Sequence, residues 1–206
     1  MRPPGKPLRT GCMVDGQLVV LDRARSRYLL VPSGAQEEAS TPAPHEGQSV
    51  LLNWETDGPL LRHTARERWF TLALSETSLP ATRAGPLTLC RLAWLEKRVE
   101  RRLRRAGLTA GLDLLDRTEG GDANLKVQEG FVAAAWQSKR LWSAENKCLP
   151  RSLALARALR RAGGTARLVI GVRLRPFAAH AWVQDGTVVV NDTLDHVLLF
   201  TPILVA

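Results

Sequence analysis

The run from Cys148 to Asp192, CLPRSLALARALRRAGGTARLVIGVRLRPFAAHAWVQDGTVVVND, constrains this chain more than any other stretch. Leu149, Leu153, Ala156 and Leu159 repeat at helical spacing. Pro150 falls in the first turn, where its missing N–H costs nothing, so the spacing predicts a helix that begins near Cys148. A free thiol has a pKa of about 8.5 and needs help to become the reactive thiolate. A helix start supplies it, because the unpaired N–H groups and the dipole there favour an anion. A neighbouring imidazole can take the proton, and the same N–H groups can hold the oxyanion of a tetrahedral intermediate.

The imidazole on offer is His180, in Pro176-Phe177-Ala178-Ala179-His180-Ala181-Trp182-Val183. Strand alternation places His180 and Trp182 on one face and Ala181 and Val183 on the other. Gln184-Asp185-Gly186-Thr187 is a hairpin signal, followed by Val188 to Val190, Asn191 and Asp192. Here register decides which residue orients the histidine. A two-residue Asp185-Gly186 turn pairs His180 with Asn191 and sends Asp192 to the opposite face, handing the role to Asn191. A three-residue loop with a bulge at Gly186 or Thr187 brings Asp192 onto the face of His180. The odd-length loop is the expectation.

Taken singly, a cysteine such as Cys148 is more often a small buried hydrophobe, and a strand histidine such as His180 more often a satisfied core residue. Their order along the chain argues for chemistry, since a cysteine at a helix start, a histidine strand and then an aspartate also describes papain-like and transglutaminase-like enzymes. CLPRSLALARALRRAGGTARLVIGV, RPFAAHAWV and VVND together resemble the core of the lasso-peptide maturation proteases, the B proteins of the transglutaminase-like superfamily, over residues 136 to 200. The resemblance implies a catalytic triad of Cys148, His180 and Asp192. It also implies a leader peptidase that cuts a ribosomally made lasso precursor, so that a partner cyclase of the asparagine-synthetase-like kind can close the macrolactam ring. No metal and no cofactor are expected. The alternatives are an acyltransferase using the same triad and a non-catalytic basic binding module.

At 206 residues and 45% hydrophobic content the chain fits one domain or two small ones and can bury a core. The N-terminal MRPPGKPLRTGCMVDG has no apolar stretch of signal-peptide type, and no run approaches a membrane span, so a cytoplasmic protein is expected. Cys12, Cys90 and Cys148 are odd in number and far apart, which suggests neither a disulfide framework nor a zinc site. The net charge of +9 is uneven: 10 basic residues face 9 acidic ones in 1–85, but 19 face 11 in 86–206. Such a surface suits acidic peptide, an anionic partner or nucleic acid. No basic-aromatic repeat resembles a single-strand binding groove, and nucleic acid is not the expected partner.

The fold class expected is α+β: a small winged-helix-like, β-rich N-terminal domain over 1–82 and a transglutaminase-like, papain-like cysteine peptidase domain over 83–206. Residues 1 to 10 read as a poorly ordered tail. Met13-Val14, Gln17 to Asp22 and Tyr28 to Val31, with turns at Asp15-Gly16 and Arg23 to Ser26, read as a three-stranded meander. An exposed edge of such a meander can accept an extended peptide, unless the second domain covers it. VVLDRARSRYLLVP is similar to the opening of the leader-recognition element in fused B proteins. That similarity implies a leader platform from Leu18 to Val31, with Leu18, Val20, Tyr28 and Leu30 as binding residues.

Beyond the meander, Ser33 is expected to cap a helix through Ala39, Ser40 to Pro44 reads as a loop and Glu46 to Trp54 as a second helix stopped by Asp57-Gly58-Pro59. Trp69 and Phe70 read as packing between the two units. Leu79-Pro80 to Gly85-Pro86 carries the breakers of a linker. Leu92, Leu95, Val99, Leu103 and Ala106 form the stripe of a helix from Leu87 to Arg105, with most of its arginines off that stripe, and Gly107-Leu108 ends it before a short helix from Thr109 to Asp116. That arginine face is either solvated or a docking surface for the cyclase or an acidic part of the precursor. Cys90, inside this helix, reads as a packed thiol. Asp122 is expected to cap a long helix through Trp142. Gln137 on it is a candidate oxyanion-hole side chain or a surface residue. Asp195 and His196 read as turn residues before a last strand from Val197 to Val205, with His196 a lesser candidate for the base.

Overall fold

The computed structural model describes residues 9–31, 52–55, 58–61, 73, 75–77, 83–116, 124–141 and 147–206. The expected helix from Ser33, the loop from Ser40 and the packing of Trp69 and Phe70 lie outside the described residues. The three-stranded meander is present as β1 (Arg9–Val14), β2 (Gln17–Asp22) and β3 (Arg27–Val31), in the order β1-β2-β3. Asp15 and Gly16 join the first two strands with φ of 48° and 72°, the left-handed pair that suits a two-residue hairpin. β1 starts at Arg9, inside the stretch expected to be a tail, because Arg9 and Thr10 find partners in Asp22 and Leu21.

Of the helix expected over Glu46 to Trp54, residues 46–51 lie outside the described residues, and its end is corrected: Leu52–Glu55 is a strand, β4, paired antiparallel with β5 (Gly58–Leu61). Asp57-Gly58-Pro59 is a breaker in either reading, and the strand pairing across it decides the outcome. The two helices expected over 87–116 are the two arms of α1 (Pro86–Asp116), separated as expected at Gly107, whose φ of 72° and ψ of −174° are not helical. Leu92, Leu95 and Val99 are buried before the kink, and Leu108, Leu112 and Leu115 after it. Helix α2 (Leu125–Leu141) begins later than the Asp122 cap implied, and the Asn124 side chain accepts the Val127 N–H at 3.1 Å.

Helix α3 (Cys148–Arg161) starts at the cysteine, as its spacing predicts. Its buried Leu153, Leu155 and Leu159 lie between α1 and a five-stranded sheet. That sheet comprises β6 (Ser75–Glu76), β7 (Arg167–Leu174), β8 (Phe177–Asp185), β9 (Val188–Val189) and β10 (Thr201–Val205), in the order β10-β7-β8-β9-β6. Neighbours are antiparallel except β6 and β9. The last strand begins at Thr201 rather than Val197, because Leu194–Val197 forms a short helix, α4.

Cys12, Val19 and Leu21 of the N-terminal sheet belong to the same buried cluster as Leu92, Val99, Leu153 and Ile203. Burial pushes the Cys12 thiol up to about 12, so it stays protonated and inert. The architecture is α+β, with a β-rich N-terminal region packed on helices and a second sheet. Cys90, read as a packed thiol, is exposed on α1. No helix among the described residues is long and apolar enough to cross a membrane.

Candidate functional site

Cys148, His180 and Asp192 come from three different elements and meet. Cys148 occupies the first turn of α3, where Lys147 makes no side-chain cap to the first helical N–H groups. His180 lies on β8, held by its pairing with Gly171 of β7. His180 Nε2 stands 2.6 Å from Asp192 Oδ2, and the same ring hydrogen-bonds the Cys148 thiol. The ring is confined by Trp182, Phe200 and His196, with centroids 6.1, 5.2 and 4.6 Å away. As alternation predicts, Trp182 shares the face of His180.

The loop that delivers Asp192 is not the expected one. Asp185 pairs with Val188 and Gln184 with Val189, so Gly186 and Thr187 form a two-residue turn, shifted by one residue from the Asp185-Gly186 turn. Gly186 holds φ at 57°, as the first position of a II′ hairpin turn asks. In that register a continued strand would turn Asp192 away from His180. The strand ends instead at Val189, with the Val190 N–H still on the Val183 carbonyl at 2.9 Å; residues 190–192 bend, and Asp192 swings into the site. Asn191 does not take the role. Its Oδ1 accepts the Val183 N–H at 2.7 Å and its Nδ2 donates to Ser152 Oγ at 2.9 Å, beneath the site.

Asp192 is the most heavily partnered residue of the group. Besides His180 it receives the Thr193 N–H at 2.9 Å, His196 Nδ1 at 3.2 Å and Lys139 Nζ at 3.3 Å. Burial pushes its carboxyl up, but the His180 hydrogen bond, the Lys139 charge and the Thr193 N–H hold it far below the usual carboxylate range. Burial alone would depress His180. The Asp192 and Cys148 hydrogen bonds and the two negative charges overcome it and raise the imidazole to about 9. Cys148 is pushed up by burial, yet the hydrogen bond and charge of His180, with the Ala181 and Leu149 N–H groups, bring it below its ordinary value. Both shifts run in the direction that favours a thiolate beside an imidazolium.

Two further residues take part. His196, expected in a turn and a lesser candidate for the base, sits on α4 with its ring against His180 and its Nδ1 on Asp192, and Lys139 escaped the sequence reading altogether. The Glu76 carboxylate accepts the Leu194 N–H at the start of that helix, so β6 anchors it. Lys139 reaches Asp192 from α2 and also lies over the Trp136 ring, 5.4 Å from its centroid. Trp136 Nε1 donates to the Val190 carbonyl at 3.0 Å, fixing α2 against the bend. Gln137 follows it on the helix, half-buried.

The expected leader platform divides. Leu18 and Val20 lie on the middle strand, paired on one side to Met13 and Gly11 and on the other to Val31 and Leu29. Val20 is buried, which corrects its expected place as a binding residue. The edge belongs to β3, which carries Tyr28 and the exposed Leu30. Tyr28 meets Phe177 of β8 edge to face, centroids 5.5 Å apart. Its phenol is raised to about 12 by burial, then by the negative charges of Cys148 and Cys12.

Residues 87–205 match the family described as the transglutaminase-like superfamily. Over 48 residues the chain is 48% identical to the microcin J25-processing protein McjB of Escherichia coli, a stretch covering 23% of each protein. The chain therefore spans about a quarter of the length of this curated relative. No solved structure matches it.

Proposed function

Because the chain belongs to the transglutaminase-like superfamily, we propose that it is a cysteine peptidase that removes the leader from a lasso-peptide precursor. One observation carries the reading: a helix-start cysteine, hydrogen-bonded to a histidine that an aspartate holds at 2.6 Å. The similarity of part of the chain to a microcin-processing protein supplies the substrate class.

In this reading the Cys148 thiolate attacks the scissile carbonyl at the leader–core junction. The N–H groups at the start of α3 face the developing oxyanion. Protonated His180 gives its proton to the leaving amine and frees the N-terminus of the core peptide. It then takes a proton from water, which hydrolyses the thioester on the leader side, while Asp192 keeps the ring oriented. Residues 83–206 form the peptidase and residues 1–82 the recognition unit, with the edge of β3 receiving the leader as an added strand through Tyr28 and Leu30. The released core passes to a partner cyclase.

Mass spectrometry of the precursor peptide incubated with wild type and with Cys148→Ala tests this. A single cut that gains one water and is lost in the variant is the expected result. Intact precursor throughout strikes the peptidase reading, and an amine-crosslinked product replaces it with acyl transfer.

A further inference from the structure

His180, Asp192 and His196 each turn one ligating atom into a common volume, all within 4.8 Å of one another. The carboxylate lies between the two rings, with Oδ2 2.6 Å from His180 Nε2 and Oδ1 3.2 Å from His196 Nδ1. Separate elements fix the three: β8, the bend after β9, and α4 with its anchor on Glu76. Two imidazoles and a carboxylate suit a borderline first-row divalent cation, and zinc above all. Bonds of about 2.0–2.1 Å place the donor atoms of a tetrahedral zinc roughly 3.3 Å apart. The His196 separation is already near that value, and the His180 one needs to open. The His196 side chain is 45% exposed, so an ion can enter from solvent and this ring can adjust around it.

We propose that His180, Asp192 and His196 form a zinc site whose occupation switches the enzyme off. The inactivation half rests on the triad proposed above, whereas the binding half does not. Zinc takes the place of the hydrogens now shared between the rings and Asp192, so His180 loses its orienting hydrogen bond, and with Nε2 on the ion the ring can no longer take up a proton at its other nitrogen and become imidazolium. The Cys148 sulfur is outside the clustered ligand atoms, and the fourth position falls to water. Lys139 competes for the same carboxylate oxygen at 3.3 Å, and its charge opposes the ion. That opposition makes the site a reversible one, unlike a closed structural site.

Calorimetric titration of the full chain with zinc chloride, run beside the cleavage assay, tests both halves. One ion is expected to bind wild type and Cys148→Ala alike. His196→Ala weakens binding at least about 10-fold, the loss that removing even an outer partner of a metal site brings. Lys139→Met tightens it by roughly 5-fold through relief of charge repulsion. This second variant leaves all three ligands in place, so it answers even where His196→Ala fails to fold. Unchanged affinity in His196→Ala, loss of binding in Cys148→Ala, or no gain in Lys139→Met overturns the site. Cleavage that continues at full rate with zinc bound overturns the switch. Zinc binding as expected in a protein that cuts no peptide upholds the site and strikes only the peptidase reading.

Discussion

Asn191 donates its side-chain N–H to Ser152 Oγ at 2.9 Å, and the Ser152 hydroxyl passes its own hydrogen to the Ala181 carbonyl at 2.8 Å. Through this bridge the helix that carries Cys148, the strand that carries His180 and the bend that carries Asp192 are bound to one another. All of its polar groups are buried, and Asn191 also satisfies the Val183 N–H. Asn191→Ala leaves that N–H without its acceptor and removes the donor to Ser152 Oγ, which keeps only its bond to the Ala181 carbonyl. It should cost about 1–3 kcal/mol, the penalty of buried groups left unsatisfied. The drop is read as a lower urea midpoint at unchanged slope, with cleavage falling further than stability alone accounts for.

The same residue shows where the sequence was legible and where it was not. Helix α3 announced itself through Pro150 and an apolar repeat, and local spacing placed Cys148 at its start. Alternation placed His180 beside Trp182. The choice between Asn191 and Asp192 turned on a hairpin register and a strand end, and alternation presupposes a strand that continues. The strand ends after Val189 because the Asn191 amide is drawn down to Ser152, 39 residues away in sequence, which no local pattern encodes. Lys139 stayed hidden for the same reason, since it reaches Asp192 from a separate helix. The break at Gly107 was legible, because a glycine inside an apolar helical repeat is a local breaker signal.

The charge state of the site sets a pH profile. The Cys148 thiolate forms as pH rises through a pKa held below the ordinary thiol value, and the His180 imidazolium is lost as pH rises through about 9. The acid limb of activity therefore lies below the ordinary thiol value, and the alkaline limb near about 9. In Asp192→Asn the partner that raises His180 is gone and burial pulls the imidazole down, so the alkaline limb moves to lower pH as the rate falls. Profiles of kcat/KM for both proteins, measured with a chelator present, check the direction. An alkaline limb that stays in place in the variant contradicts the assignment of Asp192.

Gly171 pairs with His180 across the hairpin, and the site needs it to have no side chain. A Cβ there would lie 2.8 Å from both Phe200 Cβ and Trp182 Cζ3. These two residues confine the His180 ring, and both are buried. Gly171→Ala is expected to cost about 1–3 kcal/mol by overpacking. Because the displaced rings are those against the histidine, kcat should fall even at temperatures where the variant is fully folded. Thermal melting and single-turnover cleavage distinguish the two effects.

The N-terminal sheet is joined to the helices at the kink of α1. The Leu108 N–H donates to Ser26 Oγ at 2.9 Å, and Thr109 Oγ1 donates to the Arg23 carbonyl at 3.0 Å, so the turn between β2 and β3 fills the gap that the kink opens. Gly107 has φ 72° and ψ −174°, a conformation essentially restricted to glycine, and a Cβ there would meet Ser26 Oγ at 3.0 Å. Gly107→Ala therefore carries both backbone strain and a contact that pushes the turn away, about 1–3 kcal/mol together. Since β3 carries the edge proposed to receive the leader, the variant should raise KM for full precursor more than it lowers kcat. A short substrate lacking the leader strand should be cut at nearly the wild-type rate. Equal losses on both substrates would show that the kink supports the catalytic core and not the placement of β3.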